Sequence, residues 1–213
     1  MEFVKKHWAY LIIAIVYTVG FVGFLIPNIR QDWANLTAFS LIVSIVVLVF
    51  HHQPKSKSFY FSLILVGILG YIIEVIGVKT GILFGVYTYG NKLGPKLLEV
   101  PLILGINWAL LLYLTHYFAK QLVSKTFQIA ILGAFLMVGI DFLIEPFAIY
   151  FGLWTWEKVH VPIQNYFMWW IASFLLHLLF GIYNIQLKNK ISNFILGSLV
   201  LFFFAVNLFV IWF

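Results

Sequence analysis

Apolar runs of about twenty residues, the length that crosses a bilayer as a helix, recur from one end of this chain to the other, and no other feature limits its fold so severely. A helix rises ~1.5 Å per residue, so each run matches the ~30 Å of hydrocarbon in a membrane. Of 213 residues, 63% are hydrophobic and only 9% charged, against roughly 25% charged in a soluble domain. The runs predict seven transmembrane helices, at 8–27, 33–50, 59–78, 99–119, 127–151, 164–183 and 191–212. The expected fold class is therefore an all-α integral membrane protein, with one transmembrane domain over 1–213 and no soluble domain. The first run lacks a small-residue cleavage site and is read as a retained helix.

The net charge of +6 does not point to nucleic acid, because the 13 Lys and Arg residues stand as singles and pairs at the ends of apolar runs. Those are the positions that set topology. On one side lie Lys5, Lys6, Lys55, Lys57, Lys120, Lys125, Lys188 and Lys190; on the other lie Arg30, Lys79, Lys92, Lys96 and Lys158. Eight against five predicts a cytoplasmic amino terminus and an external carboxyl terminus. The absence of cysteine excludes disulfides, thiol nucleophiles and thiolate metal sites.

Two stretches repeat. Ile73-Glu74, Gly81-Ile82, Val100-Pro101 and Asn107-Trp108 have counterparts in Ile144-Glu145, Gly152-Leu153, Val161-Pro162, Asn165 and Trp169. In each, a glutamate near the outer end of an outgoing helix precedes a glycine by seven residues. An aromatic loop follows, with Tyr87 and Tyr89 in one and Trp154 and Trp156 in the other, and Val-Pro opens the returning helix. This pattern predicts a parallel repeat of helix hairpins, with Glu74 and Glu145 equivalent about a pseudo-twofold axis. The loops at 79–98 and 152–163, rich in Gly, Tyr, Trp and Pro, are expected to fold back on the bundle.

An acid inside a membrane span is costly, so it marks function by default. Glu74, Asp141 and Glu145 are the three that qualify. Asp141 and Glu145 stand four apart, on one helical face. Two neighbouring carboxyls in a low dielectric resist double ionisation, which makes them a ready acid and base pair. The plainer role is to hydrogen-bond Asn and Trp groups and lock the bundle. Asn107 and Asn165 share the depth of the acids and either orient them, or a water molecule, or tie helices together. Tyr87, Tyr89, Trp154 and Trp156 offer electron-rich faces for a cation or a flat polyene, or form an interfacial aromatic belt. The histidines lie away from the acids, and none is spaced with a carboxylate as a metal ligand, so a metal-free site is expected. No Gly-rich phosphate loop is present.

The stretch Glu74-Val75-Ile76-Gly77-Val78-Lys79-Thr80-Gly81, with Phe84-Gly85-Val86-Tyr87-Thr88-Tyr89, Leu93-Gly94-Pro95, Val100-Pro101 and Trp108, resembles the signature of the carotenoid biosynthesis protein family. Asp141, Glu145-Pro146, Ala148, Gly152, Trp154, Trp156, Pro162, Asn165-Tyr166 and Trp169 are similar to its second block. The likeness covers roughly residues 70–170. One departure is that the acid-proline pair reads Glu145-Pro146 with Asp141 a turn earlier, which leaves open which acid donates the proton. The resemblance implies a carotenoid 1',2'-hydratase or bisanhydrobacterioruberin hydratase, adding water to the terminal double bond of an acyclic carotenoid end group. It implies no cofactor, and as partners an acyclic carotenoid and the lipid bilayer of a prokaryotic cell. Protonation would give a tertiary cation that water captures.

Three other activities use similar residues. A lycopene cyclase-like enzyme would protonate the same bond and close a ring. An intramembrane prenyltransferase fits the Asp141–Glu145 spacing but needs a second acidic cluster. A proton-coupled transporter would bury acids but needs access from both sides, whereas all three lie in the outward half.

Overall fold

Wherever an apolar run has no water to bond its peptide groups, the helix satisfies them internally, and the described chain is built accordingly. The computed structural model describes residues 2–158, 160–183 and 185–212, with side chains described from residue 7 onward, so those of Lys5 and Lys6 lie outside the description. Seven long helices are present among the described residues: α1 (Glu2–Leu25), α3 (Thr37–His51), α4 (Lys57–Thr80), α5 (Ile103–Leu122), α6 (Thr126–Tyr150), α7 (Ile163–Ile182) and α8 (Ile191–Val206). A short helix, α2 (Arg30–Trp33), leads into α3, and residues 207–212 continue α8 as a wider π-helical segment. Six of these helical segments are long and apolar enough to cross a membrane. The protein is an all-α membrane protein.

The seventh, α5, is distinguished by its position. It packs against α3, α4, α6, α7 and α8, and Leu110, Leu111, Leu112, Tyr113 and Leu114 are all fully buried. Five consecutive buried residues point to every side of a helix, so α5 is wrapped by protein all round. That is why it tolerates Asn107, Thr115 and His116, which lipid would reject. The outer helices show the reverse, with large apolar side chains such as Leu201, Phe135 and Ile64 more than 60% exposed. This is the surface of a molecule solvated by hydrocarbon.

The predicted span at 99–119 begins too early. Val100–Pro101 forms strand β3, paired antiparallel with β2 (Lys96–Leu97), and the helix starts only at Ile103. Leu98 and Glu99 make the tight turn between them with φ of 51° and 71°, the left-handed pair such a two-residue turn demands. Tyr71 pins it by donating to the carbonyls of Leu97 (2.6 Å) and Val100 (3.1 Å).

The aromatic loops form the second small sheet. Strand β1 (Tyr87–Tyr89) pairs antiparallel with β4 (Trp154–Trp156), so that Tyr87 faces Trp156, Thr88 faces Thr155 and Tyr89 faces Trp154. A left-handed glycine follows each of α4 and α6, Gly81 at φ 63° directly after α4 and Gly152 at φ 66° one residue beyond the Phe151 cap of α6, a conformation that costs glycine no Cβ clash. The two hairpins, α4–α5 and α6–α7, thus carry equivalent terminators and meet through their loops.

Candidate functional site

All three intramembrane acids are buried, Glu74 at 2%, Asp141 at 4% and Glu145 at 3% exposure, and all line one cavity roofed by β1 and β4. A buried carboxyl is tolerable only with hydrogen-bond donors around it. Each acid finds them in its own hairpin. Tyr87 and Tyr89 donate to Glu74 Oε2 at 2.7 and 2.8 Å, and Trp108 Nε1 donates to Oε1 at 2.9 Å. Trp154 and Trp156 donate through Nε1 to Glu145 Oε2 at 3.0 and 3.1 Å. Asn165 Nδ2 donates to Asp141 Oδ2 at 3.1 Å.

The three acids are not equally committed. Both oxygens of Glu74 accept bonds, whereas Glu145 Oε1 and Asp141 Oδ1 have no protein donor among the described residues. An oxygen without a protein donor at a cavity wall is available to a water molecule or a reacting proton. Chemically the arrangement offers two acids with free oxygens and a third held fast by three donors.

Every candidate from the sequence lies on this cavity: Tyr87, Tyr89, Asn107, Trp154, Trp156 and Asn165 line it beside the acids. The two amides differ, however. Asn165 is buried and holds Asp141, while Asn107 is half-buried and makes no side-chain hydrogen bond in the described structure. The supposed equivalence of Asn107 and Asn165 is therefore a misalignment. Trp108 stacks on Trp169 with ring centroids 4.2 Å apart and planes 14° apart. Aligning these tryptophans puts Met168, not Asn165, opposite Asn107.

The same alignment pairs two histidines that sequence reasoning set aside. His116 follows Trp108, and His177 follows Trp169, at an identical interval, and their rings meet with Nδ1 atoms 3.1 Å apart. Both like pairs, Trp108 with Trp169 and His116 with His177, sit where α5 meets α7, as a local twofold axis between the hairpins requires. The recurring Trp-to-His interval was the signal that could have found them. The symmetry breaks at the acids. Four residues before Glu145 stands Asp141, but four residues before Glu74 stands Gly70, where a Cβ would lie 2.4 Å from Trp108 Cγ. Glycine here admits the Trp108 ring that bonds Glu74.

The remaining wall comes from helices whose only sequence signal was hydropathy. Tyr17 of α1, Thr37, Ser40 and Leu41 of α3, and Leu199, Phe202 and Phe203 of α8 also line the cavity.

A family model described as carotenoid biosynthesis protein matches residues 34–213 of the chain. The bisanhydrobacterioruberin hydratase of Haloarcula japonica is 31% identical over 168 residues, which are 70% of this chain and 56% of that protein. The chain thus spans little more than half the length of this curated relative. No solved structure matches it. The match to the family model takes in α3 through α8, every element that carries an acid or its hydrogen-bond donor, and on this evidence the chain belongs to the carotenoid biosynthesis protein family.

Proposed function

We propose that this chain is a carotenoid hydratase that adds water across the terminal 1',2' double bond of an acyclic end group. The observation that carries the reading is the convergence of Asp141 and Glu145, each with an oxygen free of protein donors, on one cavity with aromatic walls. One of the two acids, in its neutral form, protonates C2', and the positive charge develops at the tertiary C1'. The carboxylate that results, or its neighbour, takes a proton from water as the oxygen bonds C1', so the pair returns to its starting state. The sum is alkene plus water giving a tertiary alcohol, a redox-neutral change. Trp154, Trp156, Tyr87 and Tyr89 spend their N–H and O–H groups on carboxylates, which leaves their π-systems to stabilise the cation. Glu74 acts as a positioning residue, fixing the two tyrosines and Trp108. Family membership and the hydratase named above support the same reading.

Turnover of an acyclic carotenoid in heavy, oxygen-labelled water tests it. The expected product is heavier by one water, carries one deuterium on C2', next to the new carbinol carbon, takes its oxygen from solvent and forms without air. A cyclic hydrocarbon would transfer the chain to the cyclases, and oxygen drawn from dioxygen would remove the mechanism.

The proposed orientation puts the acids toward the outer face, with the amino terminus cytoplasmic. Single cysteines at Asn91 and His160 are expected to react with an impermeant thiol reagent from outside and one at Lys55 to remain protected. Lys55 is the better inner probe because the adjacent Ser56 caps α4, its Oγ accepting from Phe59 N at 3.1 Å. Labelling at Lys55 with protection at Asn91 and His160 would overturn the orientation, and labelling of Lys55 and Asn91 from the same side would remove the span between them.

A further inference from the structure

The cavity at the acids is about 60 Å³, several times the ~10–15 Å³ one water needs but far too little for a long polyene. The end group alone can be held there, so the rest of such a substrate lies elsewhere on the protein. Two other apolar grooves are candidates. One, between α4 and α5, is lined by Ile64, Gly67, Ile68, Leu102 and Ile106 and shares no residue with the acid cavity. The other, about 270 Å³, runs between α1 and α3 and shares Tyr17, Thr37, Ser40 and Phe202 with it. Its outer rim carries Ile15, Val19 and Phe39, each more than half exposed on the lipid-facing surface.

The shared wall is chemically apolar despite three hydroxyls. Tyr17 OH pairs with Ser44 Oγ at 3.1 Å, while Thr37 and Ser40 donate to the carbonyls of Ala34 and Thr37, each at 2.8 Å. Hydroxyls already bonded within the protein do not penalise a hydrocarbon laid against them. The ring of Phe202 stands edge-on to Tyr17 with centroids 5.7 Å apart, at the point where groove and cavity join.

We infer that the groove between α1 and α3 is the binding site for the polyene tail, entered sideways from the bilayer, with Phe202 and Tyr17 dividing it from the acids. The inference rests on the hydratase reading above. It identifies the occupant as the substrate's own conjugated chain rather than a lipid tail, because this groove, unlike its rival, continues into the acid cavity.

The chain has no cysteine, so single thiols at Ser40 on the shared wall, Leu36 at the groove mouth and Ile68 in the other groove can be labelled separately. The labelling rate in lipid nanodiscs is measured with and without a full-length acyclic carotenoid, and the carotenoid is then analysed for product. At a tenfold excess over Kd, carotenoid is expected to slow labelling of S40C and L36C by about tenfold and to leave I68C unchanged, while added phospholipid has no effect. Unchanged rates at both groove positions, equal slowing at all three, or the same protection by phospholipid would overturn the inference. Protection with the carotenoid recovered unhydrated would leave the groove and remove the hydratase reading. Hydration without protection would do the opposite.

Discussion

Asp141→Asn and Glu145→Gln are each expected to lower turnover by about 10³-fold, within the range for loss of a general acid or base, while the protein remains folded. Each change keeps the size of the side chain and a carbonyl oxygen. Asn at 141 can still accept from Asn165, and Gln at 145 can still accept from Trp154 and Trp156. What disappears is the proton-transfer group. Glu74→Gln is expected to cost only about tenfold, the value of one weakened hydrogen bond, because both its oxygens already accept bonds and are not free for chemistry. The check is product formation per purified enzyme, with the melting temperature in detergent showing that the fold survives. Wild-type turnover by the Asp141 and Glu145 variants would sink the proposed acid pair. So would a Glu74 variant more damaged than either.

Gly70→Leu is expected to destabilise the protein by about 3 kcal/mol, the upper range for overpacking a core, and to abolish activity with it. The added Cβ would meet Trp108 at Cγ (2.4 Å) and Cβ (2.5 Å). Those atoms sit next to the backbone of α5, so no rotamer change relieves the clash. Trp108 is itself fully buried, stacked on Trp169 and bonded to Glu74. Adding Trp108→Gly removes the clash but empties a buried aromatic site, at a cost of about 3–5 kcal/mol for the lost ring, so neither stability nor activity should return, and Glu74 Oε1 also loses its donor. Gly139→Leu is the control: nothing lies within 4 Å of a Cβ built there, and its melting temperature should match the wild type. Equal melting of the two glycine variants would show that Trp108 is not wedged as described.

The membrane class and the buried acids were legible because they depend on residue type alone. A twenty-residue apolar run and a carboxyl inside it have one economical interpretation each. The start of α5 was not legible, because Val100–Pro101 is as apolar as the helix it precedes and hydropathy cannot tell a two-residue strand from a first turn. Nor could spacing within a single helix show that His116 would meet His177. That contact depends on the register between hairpins, which Trp108 and Trp169 fix and the asparagines obscure. The contribution of Tyr17 and Phe202 was hidden for a different reason. Their helices are apolar on every face, so no stripe distinguishes the side that meets the cavity from the side that meets lipid.

Gly70 and Asp141 occupy corresponding places in two otherwise similar hairpins, and the difference sets a limit on what one molecule can do per encounter. Only the second hairpin supplies a pair of acids with unoccupied oxygens; the first has given up its counterpart to house a tryptophan. On the proposed reaction, a frame with twofold character therefore holds a single working centre, not two. A carotenoid with identical ends then cannot have both processed from one seated position. After its first end is hydrated it must withdraw into the bilayer, reverse and enter again, so the half-converted molecule is a free intermediate that competes with fresh substrate for the same entrance.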